Sequence, residues 1–212
     1  MKEYKYPTEQ EWGEIIIRPH LDTSKLNETV AGVLSEIRHE GDAAVRKYEQ
    51  MFDHVVLDSL QVTKEEIDAA VASVDSELLD ALKLAHANIH KFHSSQHISP
   101  KRVTTAPGVE CWQKCVAIEK VGLYIPGGTA PLFSTVLMLA TPARIAGCGE
   151  IVLCTPPDRE GHINPAILAA AHVAGVDKIF KIGGVQAIGA MAYGTESVPK
   201  VYKIFGPGNQ YV

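Results

Sequence analysis

Three polar side chains stand where an apolar run gives way to glycine, and their types could hold a nucleotide or another heteroaromatic ligand. Tyr124 lies near the end of the run Val121 to Ile125, just before Pro126-Gly127-Gly128. Gln186 follows Gly183-Gly184 by one residue, and Asn209 follows Gly206-Pro207-Gly208. An amide offers both a donor and an acceptor, and a tyrosine offers a ring with a hydroxyl at its end. Glycine beside them lets a ligand approach the backbone, and a helix start just after it favours an anionic or carbonyl group. The competing reading is that the three glycine clusters are tight turns and nothing more.

Other constellations carry less. His86, His90, His93 and His97 are spaced by four, three and four, which stacks imidazoles along one helical stripe. Such a stripe admits a metal reading, but zinc sites usually draw a carboxylate or cysteine from another element. A solvated polar face is the preferred reading. His39-Glu40 is the one adjacent His/Glu pair, and beside Gly41 at a helix end it reads as structural. Cys111, Cys115, Cys148 and Cys154 do not form a disulfide framework. On one strand Cys111 and Cys115 would sit about 13 Å apart, too far to bridge. A nucleophile elbow, an HExxH and a P-loop are all missing, and no G-x-G-x-x-G follows the first strand of the glycine-bearing half.

The elements that must position these residues fall into two kinds. Residues 1 to 107 are expected to form a mainly helical segment. It starts with an arm carrying Ile15-Ile16-Ile17 that docks on something, followed by a helix from Ser24 through Leu26, Val30, Val33, Leu34 and Ile37, with Gly41 as its stop. Asp42 is expected to cap a helix through Val45, Tyr48 and Phe52, and Val55 to Leu57 is strand-like. Thr63 and Glu66 form a capping box for a helix over 64 to 73. Asp75 caps another, whose apolar face runs Leu78, Leu79, Leu82, Leu84, Ala85, Ile89 and Phe92. Ser99 to Pro107 reads as a connector, and Val109 to Val116 alternates with period two as an edge or antiparallel strand, with Trp112 packing.

Residues 108 to 212 are expected to form a Rossmann-like, nucleotide-facing α/β domain. Apolar runs begin at Val121, Ile151, Lys178 and Val201, separated by 30, 27 and 23 residues, which is the spacing of βαβ units. The helices between them read as 134 to 146, 164 to 174 and 185 to 193, each followed by a glycine that can end it: Gly147, Gly175 and Gly194. Runs that are continuously apolar suit strands buried on both faces. In such sheets ligands bind outside the carboxyl ends of the strands, so the three glycine loops are expected to face one crevice.

The 212 residues carry 46% hydrophobic side chains and a net charge of −5, enough for one large domain or two small ones with real cores. The mild acidity and the lack of a basic run give no electrostatic footprint for nucleic acid or anionic lipid. No stretch of roughly 18 residues is continuously apolar enough for a membrane span, since the long uncharged run 121–143 is broken by Pro126-Gly127-Gly128, Pro131 and Pro142, and no signal peptide is recognisable at the start. A cytoplasmic protein is expected.

The blocks VGLYIPGGTAPLFSTVLMLATPARIAGC, GGVQAIGAMAYGTESVPKV and KIFGPGN resemble those of the histidinol dehydrogenases, and the resemblance extends more loosely through GDAAVRKYEQMFD and Phe92-His93. It implies a zinc-dependent oxidoreductase that converts L-histidinol to L-histidine through L-histidinal, the last two steps of histidine biosynthesis, with two NAD+ reduced in succession. It implies a homodimer when full length, with both subunits contributing to a site. The NAD contacts of the family carry over onto Tyr124, Gln186 and Asn209. Its zinc ligands, its substrate contacts and the Glu-His pair that serves as general acid/base are expected beyond Val212. No catalytic or metal-ligating residue is therefore assigned within the chain.

On that reading the chain is an N-terminal portion, truncated after a strand, with an incomplete sheet, part of its core exposed and no turnover of its own. In the family, zinc orients the substrate while a base takes the hydroxyl proton and hydride leaves to nicotinamide. The rival from another class is a non-catalytic nucleotide-binding or assembly module, and a second enzymatic rival is another NAD-dependent alcohol or aldehyde dehydrogenase. Continuation of the reading frame into further His, Asp and Glu-His ligands would separate the enzyme from the module.

Overall fold

A computed structural model describes residues 3–17, 24–127, 130–176 and 178–207. Asn209 and the last glycines of two loops, Gly128 and Gly208, lie outside the described residues. The sheet comes from the glycine-bearing half. β3 (Lys120–Tyr124), β4 (Glu150–Thr155), β5 (Lys178–Lys181) and β6 (Lys203–Phe205) pair in the order β5-β4-β3-β6, and every pairing is parallel. Three helices alternate with them: α6 (Phe133–Ile145), α7 (Pro165–Val173) and α8 (Gly184–Tyr193). The expected βαβ spacing thus yields a parallel α/β layer. β3 and β4 are buried along almost their whole length, which is why their sequences are continuous apolar runs.

The strand order places a topological switch at β3. The chain winds outward from β3 to β4 to β5, then returns through α8 to set β6 on the far side of β3. Crevices at the carboxyl edge open at such a reversal.

The helices of the first half cover both faces of this sheet. α2 (Ser24–Glu40) and α3 (Asp42–Tyr48) join α8 on one face, where Val33, Ile37, Val45 and Tyr48 pack with Tyr124, Cys154, Phe180 and Met191. α4 (Lys64–Ser73) and α5 (Ser76–Ser94) join α6 and α7 on the other, around Leu82, Leu123, Leu153 and Ile167. Both clusters therefore draw residues from either side of residue 107. Close approach on the first face depends on Gly189, where an added Cβ would lie 3.1 Å from both Ile37 and Leu34 side chains.

Several local expectations hold to the residue. Thr63 Oγ1 accepts the Glu66 N–H at 3.2 Å while Glu66 accepts the Thr63 N–H at 2.8 Å, and the helix they start runs Lys64–Ser73. Asp75 accepts the Glu77 N–H at 2.7 Å at the head of α5. Gly147 and Gly175 take positive φ just after their helices.

Others are corrected. Asp42 does not cap α3. Its carboxylate instead accepts the Ser197 N–H at 3.2 Å and the Ser197 hydroxyl, while the Asp42 N–H donates to Glu196 at 2.8 Å. That helix does not continue regularly through Phe52 either, because Glu49–Asp53 winds as a π-helical turn. The connector contains a strand, β1 (Arg102–Ala106), which forms an antiparallel hairpin with β2 (Val109–Trp112) across the turn at 107 and 108. Trp112 is 54% exposed rather than packed in a core, and the Arg102 guanidinium lies 4.7 Å from its ring centroid. Leu84 and Phe92 point to solvent, away from the buried stripe of α5. The N-terminal arm contains α1 (Glu9–Ile15), opened by a Thr8–Glu11 capping box. It buries no residue, and Ile16 and Ile17 are exposed. Val55 and Leu57 are buried without forming a strand; the neighbouring residue Gln61 instead makes a single antiparallel bridge to Phe180 of β5.

Candidate functional site

β3 delivers Tyr124 to the switch point. The strand is enclosed by both helical layers, so the ring that ends it is enclosed as well, at 3% exposure. Its hydroxyl oxygen accepts the Gly184 N–H at 3.0 Å, which ties the end of β3 to the first residue of α8. Burial, reinforced by the charges of Asp53 and Glu49, raises its pKa above the ordinary phenol value. Tyr124 is therefore a neutral hydrogen-bonding group at this edge.

Gln186 sits in the first turn of α8 and is 0% exposed. Its Nε2 donates to Glu49 Oε1 at 2.9 Å and to Asp53 Oδ2 at 2.9 Å. The Gly183 N–H donates to the same Glu49 oxygen at 3.0 Å. Two buried acceptors, Glu49 Oε2 and Gln186 Oε1, have no hydrogen-bond partner among the described residues. Burial, with the Asp53 carboxylate adding to it, pushes Glu49 up to about 7, and burial raises Asp53 too. Cys154 on β4 is fully buried, and burial pushes its thiol up as well.

Glu49 and Asp53 are the residues that reading the sequence missed. The signal was there: Glu49 is four residues after the buried Val45 and Asp53 four after Glu49, so two carboxylates continue the apolar face of a helix. The π-helical winding of Glu49–Asp53 is the local feature that turns both toward α8, and such turns recur at functional sites. The helix start expected to favour an anionic or carbonyl group is occupied at α8 by the protein's own Glu49 carboxyl, whose Oε1 accepts the Gly183 N–H.

The glycine loops pack tightly at this edge, Gly127 and Gly183 against Pro156 and Gly206 against Tyr124, and of the three only Gly127 lines the neighbouring cleft. An added Cβ would lie 2.7 Å from Pro156 Cγ at Gly127, 2.8 Å from Pro156 Cβ at Gly183 and 2.7 Å from the Tyr124 carbonyl oxygen at Gly206. Loop packing alone thus demands glycine at these three positions. Beside them a cleft of about 750 Å³ opens at the carboxyl ends of β3 and β4, lined by Pro126, Gly127, Thr155, Asp158, Asn164 and Glu66 among others. Its size suits a cofactor pocket. Tyr124 and Gln186 do not line it. They belong to the α8 face of the sheet, whereas the cleft opens beside α4 and α7. The structure brings Tyr124 and Gln186 together through Gly184.

Metal-ligating side chains are sparse. Among the described residues, Asp158, Glu160 and His162 form the one group whose ligand atoms lie within 4.8 Å of one another, and all three are exposed on one short loop. Asp158 Oδ1 already accepts the Glu160 and His162 N–H groups at 2.9 Å. Catalytic zinc needs a shaped, supported donor set, so these residues do not fit it. In the histidine stripe, the His86 and His90 rings are 6.1 Å apart and tilted, and His93 Nδ1 pairs with Gln96 Oε1 at 2.7 Å. No helix among the described residues is long and apolar enough to cross a membrane.

Comparison with known proteins bears on the family and the fold. The family described as histidinol dehydrogenase matches residues 16–212. Histidinol dehydrogenase from Bacteroides thetaiotaomicron is 65% identical over the whole chain, which covers 50% of that relative. The Salmonella typhimurium enzyme is 52% identical over 93% of the chain and 45% of its own length. The crystal structure of histidinol dehydrogenase from Elizabethkingia anophelis superposes with a TM-score of 0.92 at 50% identity, across 97% of this chain and 47% of that one. The chain spans about half the length of the relatives it matches. With its fold and its sequence both shared along almost all of its length, the chain belongs to the histidinol dehydrogenase family.

Proposed function

We propose that the chain supplies the nucleotide-facing half of an enzyme that oxidises L-histidinol to L-histidine through L-histidinal, with NAD+ held at the carboxyl edge of the sheet. The observation that carries this reading is the family match over 16–212, because it spans every element that builds the edge. The edge is chemically suited to it. A cleft of cofactor size, a buried tyrosine and a buried amide with a spare acceptor all lie at the ends of β3, β4 and α8. A non-catalytic module is the less favoured reading, since the relatives are named as dehydrogenases along the matched length.

NAD+ supplies the hydride acceptor when bound. The residues of this chain orient and enclose. Tyr124 anchors the start of α8 through Gly184, and its ring closes the edge against water. Gln186 presents an unpaired carbonyl oxygen, and Asn209, outside the described residues, completes the set of amides proposed to meet the nucleotide. Zinc is proposed to be held by the portion of the family that this chain does not match. The reading also includes a homodimer in the full-length protein and a cytoplasmic location.

Isothermal titration of the purified chain with NAD+, with Gln186→Ala and Asn209→Ala alongside, tests the assignment. The wild-type chain binds, and each variant binds about tenfold more weakly, the loss of roughly one hydrogen bond. Equal binding by all three would refute the residue assignment. Added L-histidinol produces no NADH from the chain alone, and steady turnover would refute the division of labour.

A further inference from the structure

We infer that Glu49 and Asp53 are positioning residues that clamp the start of α8, and that one proton on Glu49 keeps the clamp closed. It rests on the nucleotide reading only for what the clamp serves. Three hydrogen bonds define it: Gly183 N–H to Glu49, Gln186 Nε2 to Glu49, and Gln186 Nε2 to Asp53. Together they fix the β5–α8 turn and the rotamer of Gln186 inside a site from which solvent is excluded.

Two carboxylates meeting on one amide in a dry site cannot both stay charged without mutual repulsion. Glu49 is fully buried, while Asp53, beside His54, is only partly buried; burial raises both carboxyls and penalises a charge on the fully enclosed Glu49 the more. The proton therefore resides on Glu49. Its Oε1 is occupied by two N–H donors, so the proton belongs on Oε2, the oxygen that has no partner among the described residues. The other titratable groups facing the pair are Tyr124 of β3 and Cys154 of β4. Both are neutral at neutral pH, because burial raises each of them. Among the described residues no Lys or Arg forms an ion pair with Glu49 to replace the proton. Above neutral pH the second charge appears, the carboxylates separate, and Gln186 loses one of its two acceptors. With it the spare Oε1 loses its fixed direction.

NMR of the Gln186 side-chain amide, in 15N-labelled chain, reads the clamp without any ligand. In the wild type both amide protons shift between pH 6 and 8 with a midpoint near 7. In Glu49→Gln the carbonyl of the new side chain still accepts both N–H groups, so the signals stay at the closed position throughout. In Glu49→Ala they resemble the high-pH wild type at every pH. Titration in Glu49→Gln that matches the wild type would overturn the proposal, as would a wild-type amide that does not titrate. NAD+ titrations on the same samples separate the two readings. Coupling predicts binding that weakens about threefold from pH 6 to 8 in the wild type and stays constant in Glu49→Gln. A chain that shows the amide titration but does not bind NAD+ refutes the nucleotide reading and leaves the clamp intact.

Discussion

Replacing Glu49 with glutamine should change how stability depends on pH. A carboxyl in the unfolded chain titrates at an ordinary 4.5, whereas folded Glu49 titrates at about 7. Between those values the folded protein holds a proton that the unfolded chain has released. Stability contributed by this group is therefore fully present below 4.5 and is lost as pH rises through 7, after which the curve is flat. At 1.36 kcal/mol per pH unit the loss is about 3 kcal/mol. Glu49→Gln cannot titrate, so its stability relative to wild type improves by about 3 kcal/mol from pH 4.5 to pH 8. The amide introduced at the former Oε2 position adds a constant offset, which makes the slope, and not the absolute difference, the quantity to read. Urea unfolding of both proteins at four pH values measures it. With a slope of roughly 2 kcal/mol per molar, the midpoints should converge or cross by about 1.5 M. Parallel midpoints from pH 5 to 8 would show that Glu49 is charged in the folded protein, and the reasoning from burial would fail.

Three further substitutions bear on the same edge or its scaffold. Tyr124→Phe leaves the Gly184 N–H without its acceptor in a buried turn and should cost about 1–2 kcal/mol by urea unfolding, with the ring contacts unchanged. Gly206→Ala pushes a methyl to within 2.7 Å of the Tyr124 carbonyl oxygen and should destabilise by roughly 1–3 kcal/mol, since backbone cannot yield as a flexible side chain does. Gly32→Ala, at an exposed position inside α2 with open space around it, should raise stability by about 0.5–1 kcal/mol and raise the thermal midpoint.

Local signals in the sequence were sufficient wherever the chain itself supplies the partner. The 64 to 73 helix was readable because Thr63 and Glu66 satisfy each other within one turn, and the two central strands, β3 and β4, because burial on both faces leaves unbroken apolar runs. The same capping signal at Thr8 and Glu11 was present and passed over, as was the hairpin signal in Arg102 to Trp112, where Pro107-Gly108 marks a turn and not the end of a connector. Strand order was not readable, because spacing dictates βαβ units without saying on which side of β3 the fourth strand returns. Asp42 misled for a related reason: its neighbours in sequence suggested a cap, but its partner Ser197 is distant in the chain. Tyr124 and Gln186 were found from their place beside glycine. Their mutual geometry depends on two carboxylates whose spacing after Val45 was legible, carried on a π-helical turn that was not.

The filled start of α8 has a consequence for where a dinucleotide's charge can go. Three helices begin at this edge. At α8 Glu49 accepts the Gly183 N–H and the Tyr124 hydroxyl accepts the Gly184 N–H, and at α7 the Asn164 side chain accepts the Ala166 N–H at 3.0 Å. α6, whose N-cap is Leu132, has no side-chain acceptor on its first N–H groups among the described residues, and it follows the Pro126-Gly127 exit from β3 that lines the cleft. An anionic diphosphate gains from a helix start only where the N–H groups are not already answered. Under the nucleotide proposal the diphosphate therefore belongs toward α6 and the cleft. On the same proposal the base or nicotinamide end belongs toward Tyr124 and Gln186, where a negative group would meet the Asp53 carboxylate beside Glu49. Under that proposal, Glu49 at the start of α8 and Asp53 beside it give the edge a polarity that would set which end of an elongated, charged ligand each face accepts.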